Sequence, residues 1–178
     1  MIASDRGLRA RHATWSDAIV DRCSGIRTVV DAGLVGSEIV ERAMDFVSAR
    51  EQLLARVTSG RLLHGDFHPR HVFALGTHVT GIIDWGDATA GDPIYDLGRV
   101  FHSGVVGGTV ERGSTLLTNL LRGYGTPNVS SSEFRERVRL YAVVFILWSM
   151  IGEHAGGSPW PPWWPAQTAA LTAILDEA

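Results

Sequence analysis

Lysine is absent from this chain, so all 16 of its permanently cationic side chains are arginines and no ligand clamp can rest on an ammonium group. Cysteine occurs once, at Cys23, which excludes an internal disulfide framework and fits a reducing cytoplasm. That cysteine reads as a small buried apolar residue rather than a nucleophile. Excess charge is lacking too: the formal net charge is -3 and the arginines are scattered without a basic run, so nucleic acid is not an expected partner. Hydrophobic runs are short. The most apolar, Leu140 to Gly152, lies between Arg139 and Glu153 and falls below the roughly 20 residues that span a bilayer, so it reads as a core helix and no membrane partner is expected. The first residues, Met1 to His12, carry arginines but no apolar segment with a small-residue cleavage site behind it, and do not read as a secretory signal.

What is present is enough for one core. A chain of 178 residues with 45% apolar content can bury one substantial core and is short for two ordinary domains, which predicts a single domain over 1–178. Thr14-Trp15-Ser16-Asp17 looks like a helix entry, with Ala18, Ile19, Val20, Ile26, Val29 and Val30 forming the apolar face of one or two helices. From Ser37 to about Val57 apolar residues recur at helical spacing, with Ser37 placed as the cap. Leu62-Leu63, Val72 to Leu75 and Val79 to Ile83 read as short strands, the last two joined by a turn at Gly76-Thr77. Asp92 then caps a helix with Pro93 at its first position and a stripe of Ile94, Leu97, Val100 and Phe101. A helix over Val110 to Tyr124 is closed by Gly125 and Pro127, and Ser130 with Glu133 has capping-box spacing ahead of a long helix through Phe134, Val138, Tyr141, Phe145, Trp148 and Ile151. Ser158 to Pro165, with three tryptophans among four prolines, reads as a rigid aromatic loop before a last helix from about Ala166 to Leu175.

The chemistry is concentrated in the middle third of the chain. His64-Gly65-Asp66-Phe67-His68-Pro69-Arg70-His71 is followed by Gly81-Ile82-Ile83-Asp84-Trp85-Gly86-Asp87 and then by Gly91-Asp92-Pro93-Ile94-Tyr95-Asp96-Leu97-Gly98. Asp66 follows one apolar segment and Asp84 ends another, so both acids fall at strand ends beside loops, where scaffolded functional groups collect. Two carboxylates delivered this way can share one metal-phosphate site.

These motifs resemble the aminoglycoside phosphotransferase and choline kinase family, relatives of the protein kinases. The family pattern is H-G-D-x-H-P-x-N, then I-D-[WF]-x-x-[AS], then G-D-P-x-x-D-L-[AG], and the chain departs from it conspicuously once, with His71 in place of the asparagine. The resemblance runs from about residue 15 to 178 and implies an α+β, mainly helical fold: the protein-kinase-like C-terminal lobe with a small β element at the catalytic loop. It also implies that the N-terminal nucleotide lobe is missing here, since no glycine-rich loop and no strand lysine precede Trp15. A separate N-terminal lobe is then a possible partner, the substrate a small molecule, and the cofactors Mg²⁺ and ATP.

Carried over residue by residue, the resemblance makes Asp66 the carboxylate that accepts or orients the proton of the attacking hydroxyl, and Asp84 the anchor of a Mg²⁺ that bridges nucleotide phosphates. His71 occupies the second metal position, where an imidazole nitrogen suits Zn²⁺, Mn²⁺ or Ni²⁺ better than Mg²⁺. Asp87 is close enough to contribute through a water, and His64, His68, Asp92 and Asp96 support the loops, Asp92 at a helix N-terminus. The substrate pocket is not readable from sequence. Two other readings stay open: a non-catalytic pseudokinase or gene fragment, and a metal-dependent hydrolase whose ligands would come from His64, Asp66, His68, His71 and Asp84.

Overall fold

Thr14 starts the first helix by a reciprocal cap: its hydroxyl accepts from Asp17 N, and the Asp17 carboxylate accepts from Thr14 N. The computed structural model describes residues 11–124, 131–157 and 163–177. Helix α1 (Trp15–Cys23) and α2 (Ile26–Asp31) bury Trp15, Ile19, Cys23, Ile26 and Val29, while Val20 lies on the solvent side. The apolar spacing from Ser37 onward makes two helices rather than one, α3 (Ser37–Ser48) and α4 (Glu51–Ala55). Arg50 breaks them. Its guanidinium bonds back to Phe46 O, lies over the Phe46 ring and pairs with Glu136, so it satisfies a carbonyl at the end of α3. Ser37 is the first helical residue and not the cap, since Gly36 holds that position without a side-chain bond.

The β structure consists of two antiparallel pairs. Strand β1 (Arg61–Leu63) pairs with β4 (Thr89–Gly91), and β2 (Val72–Leu75) pairs with β3 (His78–Ile82) across a left-handed Gly76. The sequence Thr89-Ala90-Gly91 carries no alternating apolar pattern, which is why β4 is invisible until its partner is known.

Helices α5 (Ile94–Val106), α6 (Val110–Tyr124), α7 (Ser132–Ala155) and α8 (Trp163–Asp176) complete the lobe. Ser131, not Ser130, caps α7 by accepting from Phe134 N; Ser130, Gly125 and Pro127 lie outside the described residues, as do 158–162 of the expected aromatic loop. Helix α8 begins at Trp163, earlier than Ala166, because Pro165 falls in its first turn, where no intrahelical donor is lost.

Helix α7 is the axis of the core. It is long and apolar enough to cross a membrane by length and composition, yet every residue from Leu140 to Leu147 is fully buried beneath α1, α2, α3, α5 and α8. Burial on all sides marks the central helix of a helical layer. A buried polar chain pins α5 to it: Trp15 Nε1 donates to Tyr141 Oη (2.9 Å), Tyr141 Oη donates to Asp92 Oδ2 (2.5 Å), and Arg137 pairs with the same carboxylate. Helix α5 starts at Ile94, with Pro93 before it, while Asp92 Oδ1 accepts from Ile94 N. At Gly98 a side chain would meet Tyr141 Cβ at 2.4 Å, so glycine lets the two helices touch. The start of α5 is thereby fixed, and with it everything α5 holds.

Candidate functional site

The loop after β1 is shaped from α5. Asp96, on the first turn of that helix, accepts from His64 N (2.8 Å) and Gly65 N (3.0 Å) with its two carboxylate oxygens. Burial raises the Asp96 carboxyl above its ordinary range, against the lowering effect of those two bonds. Gly65 has φ +84°, and a Cβ there would meet Asp87 O at 1.9 Å, so only glycine lets this loop lie against the loop that follows β3.

Two contacts stitch the loops together and a third tightens the first loop on itself. His64 Nε2 donates to Ile83 O (2.8 Å), its Nδ1 accepts from Asp66 N (3.3 Å), and Ile83 N donates to His71 O (3.0 Å). The His64 ring also lies against Trp85, with ring centres 4.7 Å apart. His68 opens the 3-10 turn Pro69–His71, its Nδ1 accepting from Arg70 N. Burial first, then the charges of Arg99 and Arg70, push His68 down to about 4. Asp92 sits just before α5, in the buried chain with Tyr141 and Arg137.

Asp66 and Asp84 sit in opposite environments. Asp66 is half-buried, and Arg99 Nε donates to its Oδ1 at 2.5 Å. Burial would raise its carboxyl, but the Arg99 bond and charge outweigh burial and lower it, so the carboxylate stays ionised. Its Oδ2 has no hydrogen-bond partner among the described residues. Asp84 stands at the end of β3 in the left-handed region, at φ 66° and ψ 56°, a conformation that a short polar side chain tolerates. Its side chain is 63% exposed. Asp87 is exposed as well, and its carbonyl is what presses on Gly65.

His71 links the two acids. Its Nδ1 lies 3.0 Å from Asp66 O, and because a carbonyl can only accept, Nδ1 carries the proton. In the neutral ring Nε2 is then a bare lone pair, and it faces Asp84 Oδ2 at 3.6 Å. Two facing acceptors are relieved either by a cation between them or by a proton on Nε2, which turns the pair into an ion pair. The donor set of one exposed carboxylate and one oriented imidazole fits a divalent ion, with the backbone carbonyl behind the ring fixing its tautomer.

The hydrolase arrangement is not assembled. Both ring nitrogens of His64 are committed to the loops, and among the described residues no group of three or more His, Cys, Asp or Glu side chains gathers as ligands. Sequence reasoning missed Arg99, His102, Ser103 and Gln167, which stand behind Asp66. A stripe on α5 could have signalled the first three: Asp96, Arg99, His102 and Ser103 share one face at helical spacing in an otherwise apolar helix.

Comparison with known proteins agrees with this geometry. The model of the family described as "Phosphotransferase enzyme family" matches residues 11–141. The crystal structure of aminoglycoside phosphotransferase APH(4)-Ia superposes with a TM-score of 0.71 at 18% identity, over 95% of this chain and 54% of that one. A ternary complex of a thermostable mutant of that protein with ADP and hygromycin B gives a TM-score of 0.70 at 18% identity over the same shares. Another, with AMP-PNP and hygromycin B, gives 0.70 at 19% identity, again over 95% and 54%. The chain therefore spans about half the length of the solved structures it matches, and its fold is theirs: a mainly helical, kinase-like lobe with small sheets.

Proposed function

The chain belongs to the phosphotransferase enzyme family, and from that membership we propose that it carries the acceptor and metal half of an ATP-dependent kinase for a hydroxyl on a small molecule of the aminoglycoside type. The observation that carries this reading is the facing pair His71 Nε2 and Asp84 Oδ2, 3.6 Å apart, hinged through Asp66 O to the loop that holds the Asp66 carboxylate. In such a transfer the acceptor oxygen attacks the γ-phosphorus, the bond to the β,γ-bridging oxygen breaks, and ADP leaves. Asp66 Oδ2 is the free acceptor for the hydroxyl proton. Its ionised state suits orienting the hydroxyl through a loose transition state, with the proton passing on to the product phosphate, better than early deprotonation.

Asp84 would hold Mg²⁺ through its carboxylate, with the His71 nitrogen beside it favouring Mn²⁺ over Mg²⁺, and the ion's role when bound would be to neutralise charge on the phosphate oxygens. Asp96 and His64 keep the two loops in register, and His68 stays neutral beside Asp66 so that it adds no competing charge. Asp87 acts through its backbone against Gly65.

Two observations favour a second reading, in which the chain by itself is a non-catalytic module. It spans about half the length of its structural relatives, and the β2–β3 hairpin beside Asp84 exposes Phe73, Leu75 and Val79, an apolar surface suited to a nucleotide-binding lobe from elsewhere. Transfer of label from γ-³²P-ATP to hydroxyl compounds, hygromycin B among them, separates the two. The kinase reading expects slow labelling with Mg²⁺ that Asp66→Ala removes, and faster labelling when a separate N-terminal lobe is added. Labelling that persists in Asp66→Ala, or none under either condition, contradicts it.

A further inference from the structure

Nothing on its own loop holds the Asp66 carboxylate. Among the described residues its one side-chain bond comes from Arg99 on α5, 33 positions downstream. That guanidinium is itself held at three points. Nη1 lies 2.8 Å from His102 Nδ1 and donates to Ser103 Oγ at 2.9 Å, Ser103 Oγ donates back to Arg99 O at 2.8 Å, and the Arg99 Cζ atom stands 5.7 Å from the centre of the Phe145 ring.

The tautomer of His102 follows from its partners. Arginine can only donate, so His102 Nδ1 accepts, and the ring proton lies on Nε2, which donates to Gln167 Oε1 at 3.2 Å. Both His102 and Gln167 are more than nine-tenths buried. Burial, then the neighbouring Arg99 charge, push His102 down to about 3, so it stays neutral and keeps its acceptor turned to Arg99. The polarity of the chain is fixed end to end, from Asp66 through Arg99 and His102 to Gln167 on α8. A partly buried arginine is costly unless its charge is answered. The answer here is the one carboxylate the proposed chemistry depends on.

We propose that Arg99 is the positioning residue of this site: it fixes Asp66 through Oδ1, leaves Oδ2 for the acceptor hydroxyl, and is itself aligned by His102 and Gln167, so that helix α8 sets the aim of the carboxylate. This deepens the phosphotransferase reading and rests on it for the role of Oδ2. The clamp differs from a merely structural ion pair in one respect. A structural Arg99 is held by Phe145, Ser103 and His102 whatever happens at Asp66, whereas a positioning Arg99 responds at both ends of the chain.

The test labels arginine side chains with ¹⁵N and follows the Arg99 Nε–H signal, assigned by its loss in Arg99→Lys. In the unmodified chain that proton exchanges at least tenfold more slowly than those of exposed arginines such as Arg70. In Asp66→Ala it returns to their exchange rate and chemical shift. Gln167→Ala, with Ser103→Ala as a second variant should the first fail to fold, speeds exchange several-fold. Phosphate transfer by the same samples shows kcat falling in Gln167→Ala or Ser103→Ala while KM for the acceptor holds. An Arg99 signal unchanged in Asp66→Ala, or transfer unaffected in variants whose Arg99 exchange has quickened, overturns the proposal. A chain that transfers no phosphate while the signal still couples Asp66 to Gln167 supports the clamp and counts against the function proposed for it.

Discussion

Two regions of this lobe are built from similarly apolar sequence and end in opposite states. Along α7, eight consecutive residues from Leu140 to Leu147 are sealed from water. On the β face, Leu62, Phe73, Leu75, Val79, Ile82, Ile83 and Trp85 are all exposed, Leu75 to 77%. The helical body is closed by its own elements; the face that carries Asp84 is not closed by any described residue. The two acids follow the same division. Asp66 is gripped by Arg99 from the body, while Asp84 stands on the open face with His71 beside it. A site divided this way suits a reaction whose two reactants arrive from different sides: the acceptor against the rigid body, the nucleotide against a surface that a second lobe is proposed to cover.

The largest effect is expected inside the body. Phe145 is fully buried among Tyr95, Trp148 and His102, and Phe145→Ala should cost about 3–5 kcal/mol. For a chain of this length that lowers the thermal midpoint by on the order of 10 °C. A midpoint that does not move would mean that α7 is a docking surface rather than a core, and the comparison between body and face would collapse.

A smaller effect follows from His102, the buried imidazole of the body. Its folded-state pKa is pushed down to about 3, below the roughly 6.5 of an unfolded histidine. Between those values the unfolded chain binds the proton and the folded one does not, so stability falls as pH drops below 6.5, by at most about 1.4 kcal/mol per pH unit for one proton. Urea unfolding at pH 7, 6 and 5 checks this. His102→Gln should flatten the slope over that window, and an equally steep slope would show that the acid sensitivity arises elsewhere.

The smallest effect belongs to the open face. Leu75→Ser and Val79→Ser should each change stability by no more than about 0.5 kcal/mol, because neither side chain gives up buried contact. Urea midpoints decide it. A loss of about 2 kcal/mol would place those residues in a packed layer and remove the contrast on which the division of the site rests.

The fold was legible in the sequence where local chemistry dictates local structure. The Thr14–Asp17 cap, helix α6, the long α7 and the β2–β3 hairpin all announce themselves by caps, periodicity or a turn glycine. What stayed hidden depends on distant partners. Arg50 divides α3 from α4 because Phe46 and Glu136 receive its side chain, and Thr89–Gly91 becomes a strand because β1 lies beside it. The site shows the same limit. Asp66, His71, Asp84 and Asp96 fall within motifs whose spacing is short, and the structure brings their loops together. Arg99 reaches Asp66 across 33 positions and Gln167 reaches His102 across 65, through bonds that no spacing rule records.

Whether His71 and Asp84 hold a divalent cation next to Asp66 is read from a Mn²⁺ titration followed by electron paramagnetic resonance. The account predicts one bound ion per chain, with hyperfine coupling to an imidazole nitrogen. Asp84→Ala abolishes it, and in His71→Ala the ion is held at least tenfold more weakly and without the nitrogen coupling. Binding that survives Asp84→Ala undiminished, or no bound ion in the unmodified chain at millimolar Mn²⁺, would contradict it.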